Sequence, residues 1–454
     1  MRPTTTLPRF FGVLVCAGFL SACSPSMVSP AFSASATAVS PAYGALSAID
    51  LVDAIRRGDG SVEAREALRA RGPQGLDAAL DGYAKASAEG ADPAVLERLS
   101  AAADAAGKQR DEIHTRLYWY TDLEEAQRAA QREHKPILSL RMLGHLDDEL
   151  SCANSRFFRT TLYPDAEVQR RLHDQWILHW SSERPVPVVT IDYGDGRIVR
   201  RTITGNSIHY VLEPNGHVVD AIPGLYSASA FASALDEDLA VAMSGGDRAV
   251  AVTTFQSMAL ERDRTAWAAI GMRGALPTPI PPIPTQFLGY PSPAVAAIPA
   301  APAKAFVEMP VVRSLVPAVP LPTPNQIEAF DWTTIAATER QGVTISPSVL
   351  AIMRAKAPLD WSSGRPAPLD DEGFEKLVAA YEDHVALDMA RNKYAYHPAI
   401  RAWLRDDPSL SLTELNERVY AELFLTPAND PWLGLVPPVA YSGIQGDGFA
   451  PKDP

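Results

Sequence analysis

Between Ala45 and about residue 112 the apolar positions recur at helical spacing. Ile49, Val52 and Ile55 define one face, and Ala67 and Leu68, then Leu76, Ala79 and Leu80, define two further short amphipathic segments. Arg71-Gly72-Pro73 breaks the pattern between them as a helix-to-helix turn, so this stretch predicts a small helical cap (45–112). From 113 to 240 the period changes repeatedly. Thr121-Asp122-Leu123-Glu124 reads as a capping box opening a helix that stops at Lys135-Pro136, and Ile137 to Leu143 follows as an apolar run of strand length. A helix is expected from Cys152 to Leu162, another from Asp165 to about Gln175, and a buried strand over Trp176 to Trp180. Residues 187–203 predict a hairpin turning at Tyr193-Gly194-Asp195-Gly196, and 208–222 a second one around Glu213-Pro214-Asn215-Gly216. A helix from Ser227 to Leu239 closes the segment. Strands interleaved with helices, then a hairpin and a helix, imply an α/β sandwich.

The remainder predicts helix again: a connector over 241–276 and an all-α C-terminal region over 325–454. Ser346-Pro347 and Asp370 are start signals, and Ser411-Leu412-Thr413-Glu414 is a capping box. Between them, residues 277–324 hold fourteen prolines among apolar residues. Each proline removes a donor and fixes φ, so neither helix nor central strand forms there, and the apolar content predicts a segment lying against the domains.

The N-terminus changes the picture of where the chain works. Arg2 and Arg9, the apolar run Phe10 to Leu20 and then Leu20-Ser21-Ala22-Cys23 form an export signal too short to span a ~30 Å hydrocarbon core. The ending resembles the lipobox of bacterial lipoproteins. That resemblance implies cleavage after Ala22 within a 1–22 signal peptide and a diacylglycerol on Cys23, and Ser24 in the next position implies an outer-membrane anchor facing the periplasm. Residues 23–44, largely Ser, Ala and Pro, predict a flexible tether. Loss of the leader takes two arginines with it and moves the formal charge from −13 to −15. Such acidity excludes nucleic acid as the expected partner and leaves envelope proteins, with the membrane engaged only through the lipid.

Cysteine usage sharpens the chemistry. Cys16 leaves with the signal and Cys23 is capped, so Cys152 is the one remaining thiol and no intramolecular disulfide can form. The order of elements, Lys135-Pro136-Ile137-Leu138 leading into a strand, a cysteine at a helix start, and Thr204 to Val219 as strand, turn and strand, resembles the thioredoxin fold over roughly 120 residues. The resemblance implies an α/β thioredoxin-like central domain (113–240), its sheet sandwiched by helices, with Cys152 as attacking thiol and Ser155 where a resolving cysteine would stand. Cys-x-x-Ser can form a mixed disulfide but cannot resolve it internally. Two features depart from the family: Ser207 occupies the place of its cis-proline, and Asp147, Asp148 and Glu149 oppose thiolate formation against Arg156, Arg159 and His145.

No histidine or cysteine spacing predicts a metal site, and no motif predicts a cofactor. His209 reads as a core residue, and His384, Asp388 and Arg391 with Asn392 and His397 as a solvated polar face. The expected function is a non-catalytic interaction scaffold in the cell envelope. The alternative is a monothiol thiol-disulfide oxidoreductase or isomerase in which Cys152 attacks and Ser155 donates a hydrogen bond.

Overall fold

The computed structural model describes residues 41–58, 62–203, 205–271, 332–360, 365–427, 429–430 and 433. The expected leader and its cleavage point at Ala22, the lipid-bearing Cys23, most of the tether and the proline-rich 277–324 lie outside these residues.

The chain begins with a helical turn, α1 (Pro41–Gly44), in the last residues of the expected tether. They are ordered because the Arg71 guanidinium donates to the carbonyls of Gly44 (2.9 Å) and Leu46 (2.5 Å). Four helices follow: α2 (Ala48–Arg57), α3 (Val62–Arg69), α4 (Pro73–Ala88) and α5 (Pro93–Gly107). Ser47 and Asp50 close a capping box on α2, and Gly72 at φ +66° with Pro73 at the first helical position makes the turn read from the sequence. These helices enclose a core of their own. Its α2 face is Leu51, Val52 and Ile55; Ile49, expected on that face, is 69% exposed.

A short helix, α6 (Glu112–Thr115), leads to β1 (Trp119–Tyr120), which two residues of alternation could not announce. Helix α7 (Leu123–Glu133) is capped by Asp122, which accepts from Glu125 N at 2.8 Å, one position later than the box expected at Thr121. The next elements are β2 (Ile137–Leu143), α8 (Ala153–Phe157), a π-helical turn (Phe158–Leu162), α9 (Ala166–Gln175) and β3 (Ile177–Arg184). Strands β4 (Val188–Asp192) and β5 (Ile198–Thr202) form a separate two-stranded sheet. Then come β6 (Ser207–Leu212), β7 (Val218–Pro223), α10 (Ala228–Ala242) and α11 (Arg248–Gly271).

The main sheet is mixed, in the order β1-β3-β2-β6-β7. Its first three neighbours run parallel and the last two pairings antiparallel, with Leu140 opposite Trp180 on one side and His209 on the other. Near-continuous burial along β2, β6 and β7 accounts for their unbroken apolar runs.

The C-terminal half contributes α12 (Trp332–Glu339), α13 (Pro347–Ala355), α14 (Asp371–Arg391), a π turn (Asn392–Tyr396), α15 (His397–Asp406), α16 (Leu412–Arg418) and a further π turn (Val419–Leu423). A two-residue strand pair, β8 (Leu359–Asp360) with β9 (Ala367–Pro368), interrupts the region expected to be wholly helical. The apolar residues of the surrounding helices join the same core as the sheet. Helix α15 packs on β7, the last strand, where His397 Nε2 lies 3.1 Å from both oxygens of Asp220. No helix links β3 to β6; the hairpin stands there, and Asn416 of α16 reaches both Tyr210 of β6 (3.1 Å) and Glu183 of β3 (2.9 Å). Among the described residues no helix is long and apolar enough to cross a membrane.

Candidate functional site

Strand β2 ends in Gly144, whose φ of +73° turns the chain into the loop before Cys152. That loop is gathered by one buried side chain. The Arg159 guanidinium donates to the carbonyls of Leu146 (3.2 Å), Asp148 (2.5 Å) and Glu149 (3.2 Å) and to Ser151 Oγ (3.2 Å), with Asp111 beside it at 3.1 Å. Asp147 and Glu149 turn instead to Lys108 and Arg110 of the helical cap. Arg156 donates to the Ser151 carbonyl and to Thr202 Oγ1 (2.7 Å) at the base of the hairpin. Four of the charges expected to contest the ionisation of Cys152, Asp147, Glu149, Arg156 and Arg159, are thus engaged in holding the loop.

Cys152 is the N-cap of α8, and its N–H donates to Leu143 O at 3.3 Å. Its exposure is 0%, and its side chain belongs to the apolar core. Ser155 is equally buried, and its hydroxyl donates to the Cys152 carbonyl at 2.8 Å. Sequence reasoning therefore placed the two residues together at a helix start, while the structure gives them a local turn-closing role and no path to solvent. The buried histidines nearby are neutral: burial pushes His209 and His179 down to about 3, and each is held by a hydroxyl, Tyr163 at 2.7 Å and Ser139 at 2.8 Å. His209 is the core residue expected.

Beside α8 lies a polar cavity of about 20 Å³, the volume of one or two waters. Asn154, Asn206, Ser207, Asp388, Asn392 and Tyr396 supply its polar lining. Elements adjoining all three π turns reach it, and such turns widen a helix by one residue and collect at functional sites. Asp388 Oδ2 accepts from Leu225 N (2.8 Å) and Asn392 Nδ2 (3.0 Å), and Asn392 also donates to Leu225 O (3.0 Å). Gly224, at φ +67°, is required there, since a Cβ would come within 2.4 Å of the Asn392 amide. Asn206 donates to Phe424 O (3.3 Å) and Thr426 Oγ1 (3.1 Å), while Arg184 donates to the carbonyls of Thr426 (2.6 Å), Pro427 (3.2 Å) and Asp430 (2.9 Å). The C-terminal segment is in this way fastened across the end of the sheet. Asn154 Oδ1 and Ser207 Oγ are buried in the lining without a hydrogen-bond partner among the described residues. The polar lining of the cavity suits a small polar species such as water.

The polar face expected on α14 to be solvated is a correction: Asp388, Asn392 and His397 are all buried against the β7 strand and the loop that follows it. Among the described residues no group of three or more His, Cys, Asp or Glu side chains could hold a metal ion. Asn206, Tyr396 and Phe424 escaped the sequence reading as site residues because the groups they meet lie far along the chain; the glycines at 205 and 224, flanking the β6–β7 pair, were the available signal. Compared with protein-family models, curated proteins and solved structures, the chain gives no match.

Proposed function

We propose that this chain is a lipid-anchored envelope protein, held through Cys23 at the periplasmic face of the outer membrane, and that its central domain is a divergent thioredoxin-like unit serving as a non-catalytic interaction scaffold. The strand order, three parallel neighbours followed by an antiparallel pair and a closing helix, supports the thioredoxin-like reading. The observation that carries the scaffold reading is the zero exposure of Cys152, because a thiol attacks a disulfide only where its sulfur can line up with the bond it breaks. Neither Ser155, committed to a carbonyl, nor a water-sized cavity offers a substrate a place beside it. The test is exchange with oxidised glutathione under native conditions, followed by intact mass. The scaffold reading expects the unmodified chain after incubation that fully modifies the unfolded protein; rapid formation of a Cys152–glutathione adduct would favour the monothiol enzyme.

A further inference from the structure

The β4–β5 hairpin is the one insertion of the central domain that stays outside the main sheet, and it carries an open strand edge. Its register sets Thr190 opposite Arg200 and Asp192 opposite Ile198. Tyr193 N donates to Arg197 O (3.1 Å) and Ile203 N to Pro187 O (3.3 Å). By antiparallel alternation the residues at 189, 191, 199 and 201 then exchange bonds inside the hairpin, so the N–H groups of Ile198 and Arg200 point outward along β5. The Arg200 carbonyl accepts only from the neighbouring Arg201 guanidinium (3.0 Å), an exposed contact that an incoming strand can displace. Ile198 of β5 is 58% exposed, and Val188 of β4 and Tyr193 of the turn are 40% and 54% exposed, an unusual apolar display on a two-stranded hairpin. Arg200 and Arg201 make no ion pair among the described residues, whereas Arg197 is held by Asp195 at 2.8 Å. A chain of formal charge −13 therefore presents, on an open strand edge, two arginines that no carboxylate neutralises among the described residues.

We infer that β5 is a docking edge for an extended acidic segment of a partner protein, which adds as a third, antiparallel strand. Backbone bonding gives such a strand its affinity and alternate side chains its selectivity. Opposite Arg201, Arg200, Val199 and Ile198, an antiparallel strand reads acidic, acidic, apolar, apolar from its N-terminus. A second copy of this chain is the poorer occupant, since self-pairing centred on β5 sets Arg200 against Arg200, and like charges directly opposed destabilise a sheet. Thr202, buried and bonded by Arg156, fixes the inner end of the edge to the loop that carries Cys152.

This inference deepens the scaffold reading by naming its partner class, and its test does not depend on Cys152. The mature lipidated chain in non-ionic detergent is titrated against a fluorescein-labelled peptide containing Thr-Glu-Glu-Val-Val-Thr, and against its Lys-Lys counterpart. We expect saturable anisotropy for the acidic peptide, binding of the basic one weaker by roughly tenfold, and weakening of the acidic complex by added salt. The double variant Arg200→Glu, Arg201→Glu should reverse the preference, and hydrogen exchange should show the amides of Ile198 and Arg200 protected by the acidic peptide. Equal binding of the two peptides, no binding, or a preference unchanged by the charge reversal would overturn the inference. So would a concentration-dependent dimer that protects the same amides without peptide. Failure here leaves the glutathione result standing, and a reactive Cys152 leaves peptide binding standing.

Discussion

A thiol and a carboxyl show how burial decides what a side chain can do. Cys152 sits at the start of a helix, where backbone N–H groups favour an anion, yet its side chain is fully buried in the apolar core. The helix start was legible in Cys152-Ala153-Asn154-Ser155; the depth was not, because the core that holds this side chain is assembled from residues far apart along the chain. Asp104 of α5 is the opposite case, a titratable group in a structural junction. Burial raises its pKa from 3.8 to about 6, against the hydrogen bond from Glu112 N (2.9 Å) and the nearby Arg110. The folded state therefore holds this proton more tightly than the unfolded chain, and the penalty of ionising it grows as pH rises from about 4 through 6. Asp104→Asn should accordingly gain stability over the native chain at pH 7 to 8, by at most on the order of 3 kcal/mol. The gain should vanish below about pH 4, as read from urea unfolding at graded pH.

Among the elements, those with strong local patterns were read well. Strand β2 has the predicted ends, and the α16 capping box at Ser411 and Glu414 is present with both bonds formed. The misses have physical causes. Strand β1 is too short for alternation to show, and the π turns keep a helical apolar rhythm while adding one residue to the ring. The α14 face was misjudged because polarity along a helix does not say what it packs against. That face reaches the loop after β7 through Asp388, while α15 packs on β7 itself through a buried charge network. Asp220 faces His397 at 3.1 Å and Arg401 at 3.8 Å, Arg401 donates to Asp263 at 2.7 Å, and Asp238 is buried nearby. Burial pushes the Asp220 carboxyl up, but the His397 ring and the Arg401 guanidinium outweigh it and hold the group well below the usual carboxylate range. Its contribution is present at neutral pH and is lost as the pH falls below about 4. Asp220→Asn should cost about 3 kcal/mol, because removing one partner of a buried pair leaves the other uncompensated. A lowered urea midpoint at pH 7, with the difference shrinking toward pH 2, is the expected signature; an unchanged midpoint would remove the network from the docking of α15.

At the scale of the molecule, composition raised expectations about partners and compartment and said nothing of how the core is divided. The helical cap has a core of its own, as its amphipathic segments suggested. Among the described residues the C-terminal helices instead share one core with the sheet. Helix α15 covers β7, and Phe424, Thr426, Pro427 and Asp430 are fastened across the end of the sheet, contacts that no periodicity reveals. A chain ending at Gly271 would leave that strand edge and its apolar surroundings bare. It should accumulate as aggregate or lose its near-ultraviolet dichroism, whereas a soluble truncated chain with native-like signal would show that the sheet stands without its C-terminal cover. The enclosure of Cys152 is the property on which the scaffold account turns, and iodoacetamide alkylation across a pH series measures it most directly. The account predicts that Cys152 in the folded chain reacts at least a hundredfold more slowly than in urea at every pH, on the order expected when the sulfur is reached only by opening of the fold. A folded-state rate that matches or exceeds that of an exposed thiol, and persists below the ordinary thiol pKa of about 8.5, would contradict it.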